Sequence, residues 1–133
     1  MFLPELLIDT HTLFWYLCEP SLLSEVAVSA MRKIINQGLP LSVASISLVE
    51  IYYLLEKNRL PEEFLIRIDV AKNEGFIQIV SLDDRVAKSV CLIERKTVPD
   101  MPDRIIAATA LCFNIPLVTK DQRILKTKVK TIW

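Results

Sequence analysis

Five short apolar runs, at residues 6–9, 41–44, 76–80, 117–119 and 129–132, alternate with longer stretches of helical spacing. That alternation constrains the chain more than any other feature. A short, continuous apolar run suits a strand covered on both faces, and strands separated by helices run parallel. The spacing predicts helices at 12–18, 24–36, 47–57, 62–74, 83–95 and 101–113, with a short one at 122–126. Local chemistry agrees with these limits. Gly38 and Gly75 stop two of the helices, Asp83 suits an N-cap, and Pro61 and Pro102 suit first helical turns. The expected fold class is α/β, a central parallel β-sheet flanked by helices on both faces. No repeat, low-complexity segment or linker interrupts the pattern, so residues 1–133 read as one domain.

Four acids fall where such a sheet collects its ligands. Asp9 closes the first apolar run, Glu50 lies early in a helix after the second, Asp103 opens the helix at 101–113, and Asp121 follows the fourth run. In an open parallel sheet, strand ends and helix starts share one edge, and ligands bind there. Each acid also has a local explanation. Asp9 could cap the helix that follows. Ser47-Leu48-Val49-Glu50 matches a capping box. Asp103 suits the helix dipole, and Asp121 could cap residues 122–126. As a set they are harder to explain locally, because two like charges at 4 Å repel by about 4 kcal/mol at an effective dielectric near 20. A divalent cation would offset that repulsion. All-oxygen ligation selects Mg2+ or Mn2+ over zinc, and such ions serve phosphodiester hydrolysis.

Other chemistries fit less well. The only two glycines, Gly38 and Gly75, follow neither the first strand nor a phosphate-loop pattern, which excludes both common nucleotide-binding turns. One histidine, His11, cannot supply both acid–base roles of a metal-free ribonuclease. Cys18, Cys91 and Cys112 have neither metal-ligand nor redox spacing and read as buried free thiols in a reducing cytoplasm. No apolar run is long enough to span a membrane. Net charge is zero, but Lys120, Arg123, Lys126, Lys128 and Lys130 crowd the last segment. That strip reads as a solvated helix and edge strand, and it would also suit a phosphate polymer. The 52% apolar content is high and suggests a surface that another chain covers.

Leu7-Ile8-Asp9-Thr10-His11-Thr12-Leu13-Phe14-Trp15 resembles the opening of a PIN domain, in the form found in many VapC-type toxins. Ser45-Ile46-Ser47-Leu48-Val49-Glu50-Ile51 is similar to the second acidic motif of that family. Pro99 to Ala110, with Asp100 and Asp103, is similar to the third, and Pro116-Leu117-Val118-Thr119-Lys120-Asp121 to the fourth. Val129 to Trp133 resembles the last strand. The resemblance covers essentially the whole chain. It implies a PIN fold and a Mg2+- or Mn2+-dependent endoribonuclease, the toxin of a type II toxin–antitoxin pair. It implies metal-site roles for Asp9, Glu50 and Asp103, with Asp121 more peripheral and Asp100 a possible substitute. Thr119 matches a hydroxyl residue near the pocket, and Arg104 and Lys120 are candidates for holding phosphates. Implied partners are RNA, a cognate antitoxin and a second copy of the chain. Two alternatives are a non-catalytic PIN module that binds RNA or protein, and a receiver-like Mg2+-binding domain using Asp83-Asp84.

Overall fold

The computed structural model describes residues 1–133. Five strands, β1 (Leu7–Ile8), β2 (Leu41–Ala44), β3 (Ile77–Val80), β4 (Leu117–Val118) and β5 (Thr131–Ile132), form one sheet in the order β3-β2-β1-β4-β5. Every pairing is parallel. The chain steps from β1 outward to β2 and β3, then returns to the other side of β1 for β4 and β5. The reversal between β1 and β4 is a topological switch point, the place where open α/β sheets hold ligands.

Side-chain alternation divides the core into two layers. Leu6, Ile8, Leu41, Val43 and Val118 pack on one face with Leu13, Met31, Ile51 and Phe64. Leu7, Ala44 and Leu117 pack on the other with Ile93, Ile106 and Ile124. Helices α1 (Thr10–Cys18), α2 (Glu25–Asn36) and α4 (Glu63–Asn73) supply the first layer. Helices α6 (Met101–Phe113) and α7 (Gln122–Leu125) supply the second. Helix α3 (Ser45–Glu56) contributes Ile51 to the first layer and Ile46 to the second. The buried Ala107, Ala108 and Ala110 of α6 belong to the same layer as Leu7, Ala44 and Leu117. Burial of this apolar surface, at roughly 25 cal/mol per Å2, is the main force holding the layers together.

The expected alternation of strands and helices is present in full. Helix α5 (Asp84–Ser89) is the main difference, because the helix expected over 83–95 stops after six residues. A single 3-10 turn follows at Val90–Leu92. This tighter turn buries Ile93 beneath α6 and aims its carbonyl at Arg104, whose Nε donates to it at 2.8 Å. It also leaves Cys91 exposed. Cys18 and Cys112 are partly exposed, so all three thiols are free but none is buried as expected. No helix is long and apolar enough to cross a membrane.

Candidate active site

The site is built at the C-terminal ends of β1, β2 and β4. Asp9 directly follows β1 and is largely buried. Its Oδ1 accepts the Thr12 N–H at 2.9 Å, which makes it the N-cap of α1. Its Oδ2 accepts the hydroxyl of Thr119, the residue after β4. That hydroxyl in turn accepts the Asp121 N–H at 3.0 Å. Thr119 therefore ties the ends of two neighbouring strands to each other and to the next acid. Two hydrogen bonds leave Asp9 with free lone pairs, since a carboxylate offers about four acceptor positions.

Glu50 is fixed from α1. Thr10 donates its hydroxyl to Glu50 Oε1 at 2.7 Å, and the Ser47 hydroxyl lies 2.9 Å from the same Thr10 oxygen. The capping box expected over Ser47 to Glu50 is absent. Helix α3 begins two residues earlier, at Ser45, with Ala44 as a cap that makes no side-chain hydrogen bond. Ser47 is consequently inside the helix and buried, and Glu50 is released from any backbone duty. The Ser45 hydroxyl instead accepts the Leu82 N–H at 3.0 Å, which ties the start of α3 to the segment after β3.

The tightest acid group is Glu50, Asp100 and Asp103, which can each place an oxygen within 4.8 Å of the other two. Asp100 is the exposed N-cap of α6 and accepts the Asp103 N–H at 3.2 Å. Asp9 and Asp121 flank this trio without belonging to it. Sequence alone ranks Asp100 below both. Its capping geometry explains the promotion, because a cap three residues before Asp103 turns both carboxyls to one side of the first helical turn. Asp121 caps α7, accepting the N–H groups of Arg123 at 2.7 Å and Ile124 at 3.3 Å.

The acids influence one another. Burial, then the nearby charges of Asp100, Asp121 and Glu50, push the Asp103 carboxyl up to about 7. Burial also raises Glu50, reinforced by Asp100 and Asp9 and opposed by the Thr10 hydrogen bond and His11. Crowded carboxylates resist ionisation, and a bound cation would relieve their repulsion. The donor set fits a hard divalent ion, since it is all carboxylate oxygen with no thiolate or imidazole in the trio.

The three expected substrate contacts fare differently. Thr119 is buried, with its hydroxyl engaged by Asp9 and Asp121, so it holds the acids and does not face an incoming ligand. Arg104 is partly buried and directed at Ile93. Lys120 is exposed, with its ammonium 6.0 Å from the Trp15 ring centroid. Sequence gives Thr10 no role at the acids and reads Ser47 only as the start of a capping box. Their signal was adjacency, since hydroxyl residues beside site acids are natural partners for them. Asp83 lies outside the cluster, because its carboxylate caps α5 through the Val86 N–H and meets Arg85 at 3.5 Å.

Comparison with known proteins agrees with this architecture. The sequence matches the PIN domain model over residues 6–130. It is 30% identical over 118 residues to Ribonuclease VapC22 of Mycobacterium tuberculosis, covering 89% of this chain and 88% of that one. The fold resembles VapBC2 from Rickettsia felis bound to a promoter DNA fragment, with a TM-score of 0.72 at 14% identity, over 95% of this chain and 96% of that one. It also resembles DNA-bound VapBC from Salmonella typhimurium, with a TM-score of 0.68 at 17% identity and 96% of each chain covered. A toxin–antitoxin complex from Klebsiella pneumoniae gives a TM-score of 0.59 at 15% identity, with 97% of each chain covered. The acid-lined switch point, the match over residues 6–130 and the ribonuclease relative lead to one conclusion: this chain belongs to the PIN domain family.

Proposed function

We propose that this chain is a Mg2+- or Mn2+-dependent endoribonuclease, the toxin of a type II toxin–antitoxin pair, with residues 1–133 acting as a single PIN domain. The observation that carries this reading is the carboxylate trio Glu50, Asp100 and Asp103 at the sheet's switch point. The ribonuclease relative supports the reaction class.

Glu50, Asp100 and Asp103 would hold the ion, with Asp9 and Asp121 completing its surroundings. A bound divalent ion supplies a nucleophilic water at neutral pH and charge neutralisation at the scissile phosphate. The protein's own groups set the geometry for that chemistry. Thr10 fixes Glu50, and Thr119 fixes Asp9 against β4. The Asp103 carboxyl, raised to about 7 by burial and its acid neighbours, would give up its proton as the ion binds. Lys120, exposed beside Trp15, would meet a substrate phosphate, whereas Arg104, already engaged by Ile93, is better suited to holding α6 in place.

Partners follow from the same reading. Val49, Tyr52 and Tyr53 on α3 and Ile66 and Val70 on α4 are exposed apolar side chains on the helix pair that sequence marked as greasy. They are suited to a cognate antitoxin or to a second copy in a homodimer. RNA as substrate implies work in the cytoplasm.

The test is cleavage of RNA by the purified chain with Mg2+ or Mn2+, with EDTA and Asp103→Asn as controls. Metal-dependent cuts leaving 5′-phosphate ends are expected. Cutting that survives both EDTA and Asp103→Asn would sink the assignment. RNA binding without cutting in any metal would favour the non-catalytic module.

A further inference from the structure

Trp15 differs from its neighbours on α1. Phe14, Tyr16 and Leu17 pack against the hydrophobic core, whereas Trp15 joins neither core layer. Its indole meets three other groups. The His11 ring, one turn back on α1, lies 5.8 Å away between centroids, tilted by 41°. The Trp133 ring lies 5.6 Å away, tilted by 57°. The Lys120 ammonium stands 6.0 Å from the Trp15 centroid.

Members of this aromatic group are chain neighbours of residues that hold the acid site. His11 follows Thr10, which holds Glu50. Lys120 sits between Thr119 and Asp121, and its neighbour Thr119 anchors Asp9. Strand register brings Trp133 to the same place. Ile132 pairs with Val118, and the Thr119 N–H donates to the Ile132 carbonyl at 3.1 Å. Both tryptophans remain partly exposed, and His11 and Lys120 are exposed. Trp133 also packs against the first core layer, so Trp15 is the indole that has a cation beside it and lies outside the core. Such an indole face is a feature by which proteins receive unpaired bases, because every base offers a π-face to stack.

We propose that Trp15 and Trp133, with His11 and Lys120, form a stacking subsite for one unpaired base of the RNA substrate, Lys120 meeting the adjoining phosphate. The proposal rests on the nuclease reading above. Trp15 is six residues past Asp9 on α1, about 9 Å along the helix axis. The base it receives therefore belongs to a nucleotide close to the cut. A base held in a duplex has no free face to offer, so the subsite selects single-stranded RNA at that point.

The chain has two tryptophans, and both are in this cluster, so intrinsic fluorescence reports on it alone. The experiment titrates the cleavage-silenced Asp103→Asn chain with a short single-stranded RNA and with the same RNA annealed to its complement. Bound RNA is followed separately by anisotropy of an end label. In parallel, cleavage kinetics in Mg2+ compare the native, Trp15→Leu and Trp15→Phe chains. Saturable quenching by the single strand is expected, with little from the duplex. Trp15→Leu is expected to raise KM about tenfold with kcat changed less than about twofold, and Trp15→Phe to recover most of the loss. Unchanged fluorescence at saturating single strand, equal quenching by duplex, or an unchanged KM in a folded Trp15→Leu chain would each overturn the subsite. If Trp15→Leu does not fold, the fluorescence titration decides. A native chain that cuts no RNA in any metal overturns the nuclease reading instead, and the titration still tests base stacking.

Discussion

The hydroxyl of Thr119 donates to Asp9 Oδ2 across the gap between β4 and β1. This contact spans the switch point of the sheet and sets the position of an acid that also caps α1. Replacing Thr119 with Val keeps the volume but removes the donor to Asp9 and the acceptor for the Asp121 N–H. Unpaired polar groups in a buried setting cost about 1–3 kcal/mol. Urea unfolding of Thr119→Val should therefore show that loss, and Thr119→Ser should recover most of it. Equal midpoints for the native and Val chains would mean the contact carries no stability.

Asp103 makes stability depend on pH in the metal-free protein. Its carboxyl rises from 3.8 to about 7 on folding, so the folded state binds a proton that the unfolded state has released. Unfolding free energy must then fall as pH rises from about 4 through 7. Glu50, raised by burial, acts in the same direction. After a reduction for water reaching the carboxyl, the loss is on the order of 1–2 kcal/mol. Denaturation midpoints in EDTA at pH 5 and pH 8 measure it. The Asp103→Asn chain should show a flatter dependence and should be the more stable of the two at pH 8.

Adding a divalent ion should reverse that effect. Mg2+ favours the ionised carboxylates, so binding near pH 7 should release protons and raise the melting temperature. Calorimetry in buffers of different ionisation enthalpy detects the released protons. Asp100→Asn should weaken binding about tenfold or more, the equivalent of losing about 1.4 kcal/mol of attraction. Asp84→Asn, an exposed acid outside the trio, should leave binding unchanged. Equal affinity in the native and Asp100→Asn chains would remove Asp100 from the site.

Away from the site, Asn114 ends α6 with φ at 52° and ψ at 49°, a left-handed conformation that β-branched residues strongly resist. Asn114→Val should destabilise the fold by about 1–2 kcal/mol. Asn114→Gly should be tolerated, and RNA cleavage per folded molecule should be unchanged in both. Thermal melts of the two variants check this.

Much of this architecture is readable from the chain. Short strands between helices fix a parallel sheet, and a parallel sheet fixes which ends of its strands meet. That is enough to bring Asp9, Glu50, Asp103 and Asp121 to one edge. The finer arrangement depends on contacts between segments. Ser47 looks like a cap in its own window, but helix α3 starts earlier, and the partner of Ser47 is Thr10, 37 residues away. Asp100 looks like an ordinary cap and is one, yet the same geometry brings it to Glu50 on another helix. Cys91 sits in an apolar run, and only the 3-10 turn after α5 brings it to solvent. Local periodicity carries no record of these long-range choices.

Thr119 and Asp9 are 110 residues apart in sequence. At a synthesis rate of about 5–20 residues per second, roughly 5–20 s separate the emergence of the two from a ribosome. Through that interval Asp9 has no β4 beside it, and Asp121 has not been made. The contact that fixes Asp9 is thus made late, after the segments that carry Glu50, Asp100 and Asp103 have already emerged. The delay is written into the order of the strands, because β4 comes last but one in the chain yet lies beside β1 in the sheet.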